Sequence, residues 1–182
     1  MRIGIVGLGA VGGLLAARLV AGGHQVSALA RGATLEHVRQ DGLALLEGAE
    51  DRPRETRLQL RVSDDAAELG EQDLVVLSVK TTGLADVAQR IGPLLGPDTA
   101  VLSAMNGVHF SCARPAPGVV RHGQGNRLIL GEPQGGDSER CARAAQALRD
   151  GGFEVEVSQR IQQDVWFKLW GNMTMNPISA IT

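Results

Sequence analysis

Three glycines near the amino end of the chain have a spacing that fits one kind of chemistry. Gly7, Gly9 and Gly12 follow a short apolar run (residues 3–6) and precede an apolar helical pattern. Between a strand and a helix, such glycines make a tight turn, admit a pyrophosphate and allow close helix packing. The free amide groups of a helix start also attract an anion. We therefore predict a dinucleotide site here, formed by the segment Gly7-Leu8-Gly9-Ala10-Val11-Gly12.

Polar residues stand directly after three further predicted strands. Arg31 follows residues 25–30, Lys80 follows residues 73–79, and Asn106 follows residues 99–104. Parallel strands bring their carboxyl ends to one edge of a sheet, where ligands bind. An arginine at the end of the second strand suits a ribose 2′-phosphate, which favours NADP over NAD. The alternatives are surface side chains at strand ends and, for Asn106, an Asn-Gly turn.

A polar stripe is predicted on the last helix. Lys168, Asn172 and Asn176 are four residues apart, and each such step turns only about 40° around a helix. A lysine with two amides can supply a proton and hold the oxygens of a small carboxylated substrate. The alternative is an ordinary solvated helix face.

The elements that must position these residues alternate along the chain. The fold class predicted is α/β, with a Rossmann-like, doubly wound and mostly parallel sheet. Further strands are expected at residues 42–46, 57–62 and 153–157, and helices at 33–40, 84–95 and 139–149. Residues 117–122 and 127–131 are expected to pair as a β-hairpin, which would leave His122 as a surface residue.

Composition excludes several classes of protein. The chain has 182 residues, a net charge of −2 and 43% hydrophobic residues, as in ordinary soluble domains. Interspersed charges predict no nucleic-acid partner. Residues 3–17 form too short an apolar run to cross a membrane. Cys112 and Cys141 lack metal-ligand spacing, so no metal is predicted, and we expect reduced thiols in the cytoplasm.

Taken together, these motifs resemble those of ketopantoate reductases (2-dehydropantoate 2-reductases). The glycine loop combined with the pattern Lys-x-x-x-Asn-x-x-x-Asn-Pro is specific in a way that neither part is alone. The other matching segments are Ala30-Arg31-Gly32, Ser78-Val79-Lys80-Thr81, Asn106-Gly107-Val108, Pro117-Gly118-Val119-Val120-Arg121-His122 and Gly131-Glu132-Pro133.

The resemblance implies a reaction and a role for each candidate residue. NADPH would pass a hydride to the ketone carbon of 2-dehydropantoate, giving pantoate for pantothenate synthesis. Lys168 would donate the proton, and Asn172 and Asn176 would bind the substrate, a 2-oxo acid. Asn106 would lie between the nicotinamide ribose and the substrate. The residues implied at the adenosine end of the cofactor are Arg31 and Lys80.

The resemblance also implies a domain division. Residues 1–160 would form the NADP-binding domain, and residues 161–182 the first helix of a shortened helical substrate domain. Only His109–Ala116 stands where the family has a helix and a strand. An apolar last helix without its usual neighbour would be exposed and could pair two copies as a homodimer. The alternative functions are an NADPH-binding module without full catalytic competence and a reductase of another 2-oxo acid.

Overall fold

A computed structural model describes the backbone of residues 1–105 and 108–179, and side chains as far as residue 174 within those ranges. In chain order the strands are β1 (Arg2–Val6), β2 (Gln25–Leu29), β3 (Leu43–Glu47), β4 (Arg54–Leu58), β5 (Arg61–Ser63), β6 (Gln72–Leu77), β7 (Leu95–Ser103), β8 (Val108–His109), β9 (Cys112–Ala116), β10 (Val119–His122), β11 (Arg127–Leu130) and β12 (Glu154–Val157). The helices are α1 (Ala10–Ala21), α2 (Gly32–Asp41), α3 (Ala66–Leu69), α4 (Leu84–Arg90), α5 (Glu139–Asp150) and α6 (Ile161–Ser179).

The main sheet is parallel throughout and has the strand order β5-β2-β1-β6-β7. The central strands β1 and β6 are mostly buried because helices cover both faces of the sheet. Leu74 and Val76 pack into one core cluster with residues of α1 and α5. Val75, which points to the other face, packs with residues of α3 and α4. This arrangement confirms the predicted doubly wound α/β fold.

Two smaller sheets complete the fold, with the orders β4-β3-β10-β9 and β12-β11-β8. The predicted hairpin between residues 117–122 and 127–131 is therefore wrong, because β10 and β11 belong to different sheets. Gly118, with a φ of 68°, instead turns β9 back onto β10, so that Val119 pairs with Ala116. Residues 123–126 carry the chain across to the third sheet.

Two other strand predictions need correction. Residues 57–62 do not form one strand, because the chain leaves β4, which pairs with β3, and then joins β2 as β5. The strand at residues 99–104 is not buried. It is part of β7 at the edge of the main sheet, where Val101 is 51% exposed. The helix predicted over residues 84–95 ends as α4 at Arg90 and is followed by a short 3₁₀ turn.

The first turn of the main sheet depends on one very close approach between backbone segments. Gly7 has a φ of 96°, a region that residues with a side chain rarely adopt. A Cβ atom on Gly12 would lie 2.0 Å from the Gly7 carbonyl oxygen and 2.3 Å from Ser78 Oγ. A Cβ atom on Gly9 would meet no atom within 4 Å. The absence of a side chain at Gly12 thus allows α1 to pack against the turn after β1. The absence of one at Gly9 leaves open space beside the start of α1.

Within the described residues, no helix combines the length and the hydropathy that a bilayer-spanning segment needs.

We predict that Gly12→Ala lowers the free energy of unfolding by about 1–3 kcal/mol, because the added methyl group must displace backbone. Gly9→Ala is the matched control: it adds the same methyl group to open space and should leave stability within about 0.5 kcal/mol. Urea denaturation followed by circular dichroism measures both. Equal stability of the two variants would contradict the packing role of Gly12.

Candidate functional site

A cavity of about 440 Å³ opens at the carboxyl ends of β1, β2 and β6. The structure brings together three of the residues that the sequence predicted at this edge, since Gly7, Arg31 and Lys80 all line the cavity. Leu8 and Gly9 line it as well. The fourth predicted residue, Asn106, lies outside the residues that the structure describes. The site is thus at the edge where ligands bind in parallel α/β sheets.

The glycine turn presents the start of α1 beside this cavity. Gly9 is the N-cap residue of α1, and no side chain caps the helix start. Ala10, Val11 and Gly12 form the first turn behind it. Their amide groups have no partner within the helix, which leaves donors for an anion.

A serine fixes the shape of this turn. Ser78, directly after β6, donates its hydroxyl to the carbonyl oxygens of Gly7 (2.8 Å) and Val6 (3.1 Å). Its backbone N–H also donates to Val6 O at 3.0 Å. The turn between β1 and α1 is therefore held from the neighbouring strand.

The charges around the cavity are strongly unbalanced. Its described lining contains four basic side chains and one carboxylate, Asp86. Asp86 lies 4.0 Å from Arg31 and 3.6 Å from Arg90, and the Arg31 side chain is 81% exposed. Exposed ion pairs of this kind contribute little to stability. Such a lining suits a ligand with several negative charges. The four basic residues are Arg31, Lys80, Arg90 and Arg114.

Sequence reasoning missed several of these lining residues. Arg114 belongs to β9 in the second sheet, and its Nη1 donates to Thr34 Oγ1 at 2.8 Å. Thr34 is buried in the first turn of α2. Asp86 and Arg90 come from α4. Thr34 and the residues of α4 could have been found from the sequence, because they follow the ends of β2 and β6. Arg114 could not, because the sequence does not predict the strand to which it belongs.

Lys168 is not among the described residues that line this cavity and instead contacts β8 in the third sheet. Its ammonium group donates a hydrogen bond to the carbonyl oxygen of Val108, two residues beyond Asn106. The side chain is half-buried, and this burial lowers the pKa of Lys168. Burial, assisted by the Lys168 charge, also lowers the pKa of His109, which keeps that imidazole neutral more readily.

Two polar residues of the last helix, α6, are less exposed than its aromatic residues. Lys168 and Asn172 are half-buried. The exposed fractions of four large apolar side chains are 65–74%, as expected of an apolar helix without a neighbour. The pairing of two copies through this face stays a prediction. The side chain of Asn176 lies outside the described part of the structure. The four exposed apolar side chains are Trp166, Phe167, Trp170 and Met173.

His122 and Glu132, which belong to the remaining motifs, both contact charged side chains of the protein. His122 is not a surface hairpin residue: its side chain is only 15% exposed and lies 3.7 Å from Glu47 and 3.4 Å from Arg18. Glu132 pairs with Arg140 and accepts from Ser138, the N-cap residue of α5. These contacts hold the pKa of Glu132 at about 2.

Among the described residues, no group of three or more histidine, cysteine, aspartate or glutamate side chains is arranged to hold a metal ion. Both cysteines are free thiols.

Comparison with known proteins gives one consistent relationship. Residues 3–111, more than half of the chain, match the family model of the ketopantoate reductase PanE/ApbA. A 2-dehydropantoate 2-reductase of Mesorhizobium japonicum is 37% identical over 223 residues, covering 100% of this chain and 67% of the relative. Another from Halobacterium salinarum is 30% identical over 202 residues, covering 100% of this chain and 65% of its own length.

Solved structures agree with this relationship. The crystal structure of a Ralstonia solanacearum MolK2 protein, assigned to the ketopantoate reductases, superimposes with a TM-score of 0.92 at 43% identity. The match covers 99% of this chain and 67% of that protein. The chain thus spans about two thirds of the length of these relatives. The glycine turn, the parallel sheet and the alignments lead to one conclusion: the chain belongs to the ketopantoate reductase PanE/ApbA family.

Proposed function

We propose that this chain binds NADPH and reduces 2-dehydropantoate to pantoate, with Lys168 as the proton donor. The observation that carries this proposal is the basic cavity at the glycine turn. The two named relatives above are 2-dehydropantoate 2-reductases, which are oxidoreductases.

The cavity supports a dinucleotide with its pyrophosphate at the glycine turn. Gly9 offers open space for the phosphates, and the uncapped start of α1 offers amide donors. Lys80 adds a positive charge at the end of β6. A cavity of about 440 Å³ is large enough for most of an adenosine diphosphate portion.

NADPH is favoured over NADH by the residue that ends β2. NAD-binding folds place an acidic residue there to accept from the ribose 2′-hydroxyl, whereas an arginine accommodates a 2′-phosphate. Arg31 occupies this position, and its guanidinium is exposed toward the cavity that it lines. The 4.0 Å separation from Asp86 is too long for a strong ion pair, so a phosphate could take over this guanidinium.

The choice of lysine at two positions supports their chemical roles. The chain has 18 lysine and arginine residues, of which only Lys80 and Lys168 are lysines. Arginine cannot lose its proton in a protein, whereas lysine can. Of these two residue types, only lysine can therefore act as a proton donor at position 168. Partial burial lowers the pKa of Lys168, which makes its ammonium group a stronger acid.

The proposed reaction balances as follows. Bound NADPH supplies the hydride that reduces the ketone carbon. Lys168 would give one ammonium proton to the oxygen of that carbonyl group, which becomes the C2 hydroxyl group of pantoate, and would be left as a neutral amine. Before the transfer, its positive charge stabilises the developing negative charge on that oxygen. Asn172, half-buried one turn further along α6, and Asn176 are proposed to bind the substrate, and Asn106 to bind substrate and cofactor.

Cofactor binding is tested by titrating NADPH and NADH against nicotinamide fluorescence. We expect tighter binding of NADPH, and we expect Gly9→Ala to weaken it about tenfold or more because the methyl group occupies phosphate space. The control must be a glycine with open space around it and a φ that alanine readily adopts, which excludes Gly23 with its φ of 84°. Gly171→Ala adds a methyl group to open space far along the chain and should not change binding. Undiminished binding by Gly9→Ala would contradict the proposed phosphate position.

Catalysis is tested by NADPH oxidation in the presence of 2-dehydropantoate. Removal of a general acid lowers rates by about 10²–10⁴-fold, so Lys168→Ala should lose at least about 100-fold in kcat while still binding NADPH. Equal rates for the two proteins would refute the proton-donor role. NADPH binding without turnover by the unmodified chain would support the cofactor-binding module instead. Turnover of a different 2-oxo acid alone would support the related reductase.

The lowered pKa of Lys168 predicts the pH dependence of the reaction. A proton donor acts only in its charged form, so kcat should be constant at lower pH and fall above the pKa of Lys168. That midpoint should lie below the 10.5 of an unperturbed lysine. Because the chain has two lysines, ¹³C-methylation and NMR titration can follow each one, with Lys80→Arg to assign the signals. A midpoint at or above 10.5 would contradict the burial of Lys168.

A further inference from the structure

Among the described residues that line the cavity, Arg114 alone comes from neither the main sheet nor the helices and loops that follow its strands. It belongs to β9, which pairs with β10 in the second sheet. The β9–β10 turn packs against α2. The side chains of His37 and Val38 occupy the place that a Cβ atom on Gly118 would need. The second sheet therefore brings β9 to the side of the cavity that α2 forms.

The guanidinium group of Arg114 is anchored at the adenosine side of the cavity. Its Nη1 donates to the hydroxyl of Thr34 at 2.8 Å. Thr34 is only 8% exposed and lies three residues after Arg31, the residue that ends β2 and precedes α2. A guanidinium has five N–H donors, so this contact leaves four for a ligand.

Charge explains why a phosphate suits this place. Arg31 and Arg114 line the same cavity, and Asp86, the one carboxylate in the lining that the structure describes, already has Arg31 and Arg90 beside it. Both guanidinium groups carry a permanent positive charge, so a ligand that lies between them is favoured when it is an anion. A ribose hydroxyl cannot compensate two positive charges, whereas a phosphate monoester carries nearly two negative charges and accepts several hydrogen bonds.

We propose that Arg114, held by Thr34, binds the 2′-phosphate of NADPH together with Arg31 and is a determinant of the preference for NADPH over NADH. The proposal rests on the cofactor assignment made above. The pyrophosphate is a less suitable partner, because the glycine turn and the start of α1 already supply its donors.

The test compares the dissociation constants of NADPH and NADH for Arg114→Gln with those for the unmodified chain. Hydrogen bonds to charged groups predict a loss of about tenfold or more in NADPH affinity, with NADH affinity within about twofold. Thr34→Val, which removes the anchor but keeps the side-chain shape, should weaken NADPH binding severalfold. Arg143→Gln is the matched control: Arg143 is exposed on α5 and does not line the cavity, so both affinities should persist.

The outcomes separate this inference from the cofactor assignment. An unmodified chain that binds NADH as tightly as NADPH would overturn both. An NADPH preference that Arg114→Gln leaves intact would overturn only the role of Arg114. Equal weakening of NADPH and NADH would also overturn it, because it would place Arg114 at the pyrophosphate or in a purely structural role. Retained NADH binding shows in the same titration that the variant is folded.

Discussion

The close approach of α1 to the turn after β1 is the constraint on which the rest of the structure depends. Gly12 contacts the Gly7 carbonyl so closely that no side chain fits between them, and Ser78 fixes the same carbonyl from β6. One serine and two glycines thus join a helix and two strands. This junction sets the direction of α1 and leaves its first amide groups uncovered. Both the core on that face of the sheet and the anion-binding end of the cavity depend on it.

The cavity shows how charge is distributed around this rigid centre. The glycine turn contributes backbone donors, whereas the long basic side chains come from separate elements that end at the same edge. Lys80 follows β6, Arg31 follows β2, and Arg114 reaches the edge from another sheet. Lys168 is held at the third sheet by its hydrogen bond to the carbonyl oxygen of Val108 in β8. The described residues proposed to bind the cofactor are therefore gathered around one cavity, whereas the proposed proton donor is attached to the third sheet.

Much of the fold could be predicted from sequence because its signals were local. The glycine turn before α1 and the strands β1, β2 and β6 each depend on neighbouring residues, and the structure confirms them. Pairing between distant segments gave no such signal. Apolar alternation could not show that β10 turns back onto β9, or that residues 57–62 divide between two sheets.

The same contrast between local and distant signals explains which residues of the site could be predicted. The three predicted residues that line the cavity follow strands of the main sheet, so topology alone brought them together. Arg114 was missed because it comes from an unpredicted strand, and its contact with Thr34 spans 80 residues of sequence. The stripe on α6 was predicted from its spacing, but its burial was not. Only the packing of α6 shows that Lys168 and Asn172 are half-buried while the aromatic residues are exposed.

The central claim is that one cofactor joins the glycine turn to the surroundings of Lys168. A crystal structure of the chain with NADP⁺ tests it most directly through the position of the nicotinamide C4 atom. The account predicts the pyrophosphate at Gly9 and C4 turned toward Lys168 Nζ, with room between them for one small 2-oxo acid. A nicotinamide ring pointing away from Lys168, with the pyrophosphate still at Gly9, would contradict it.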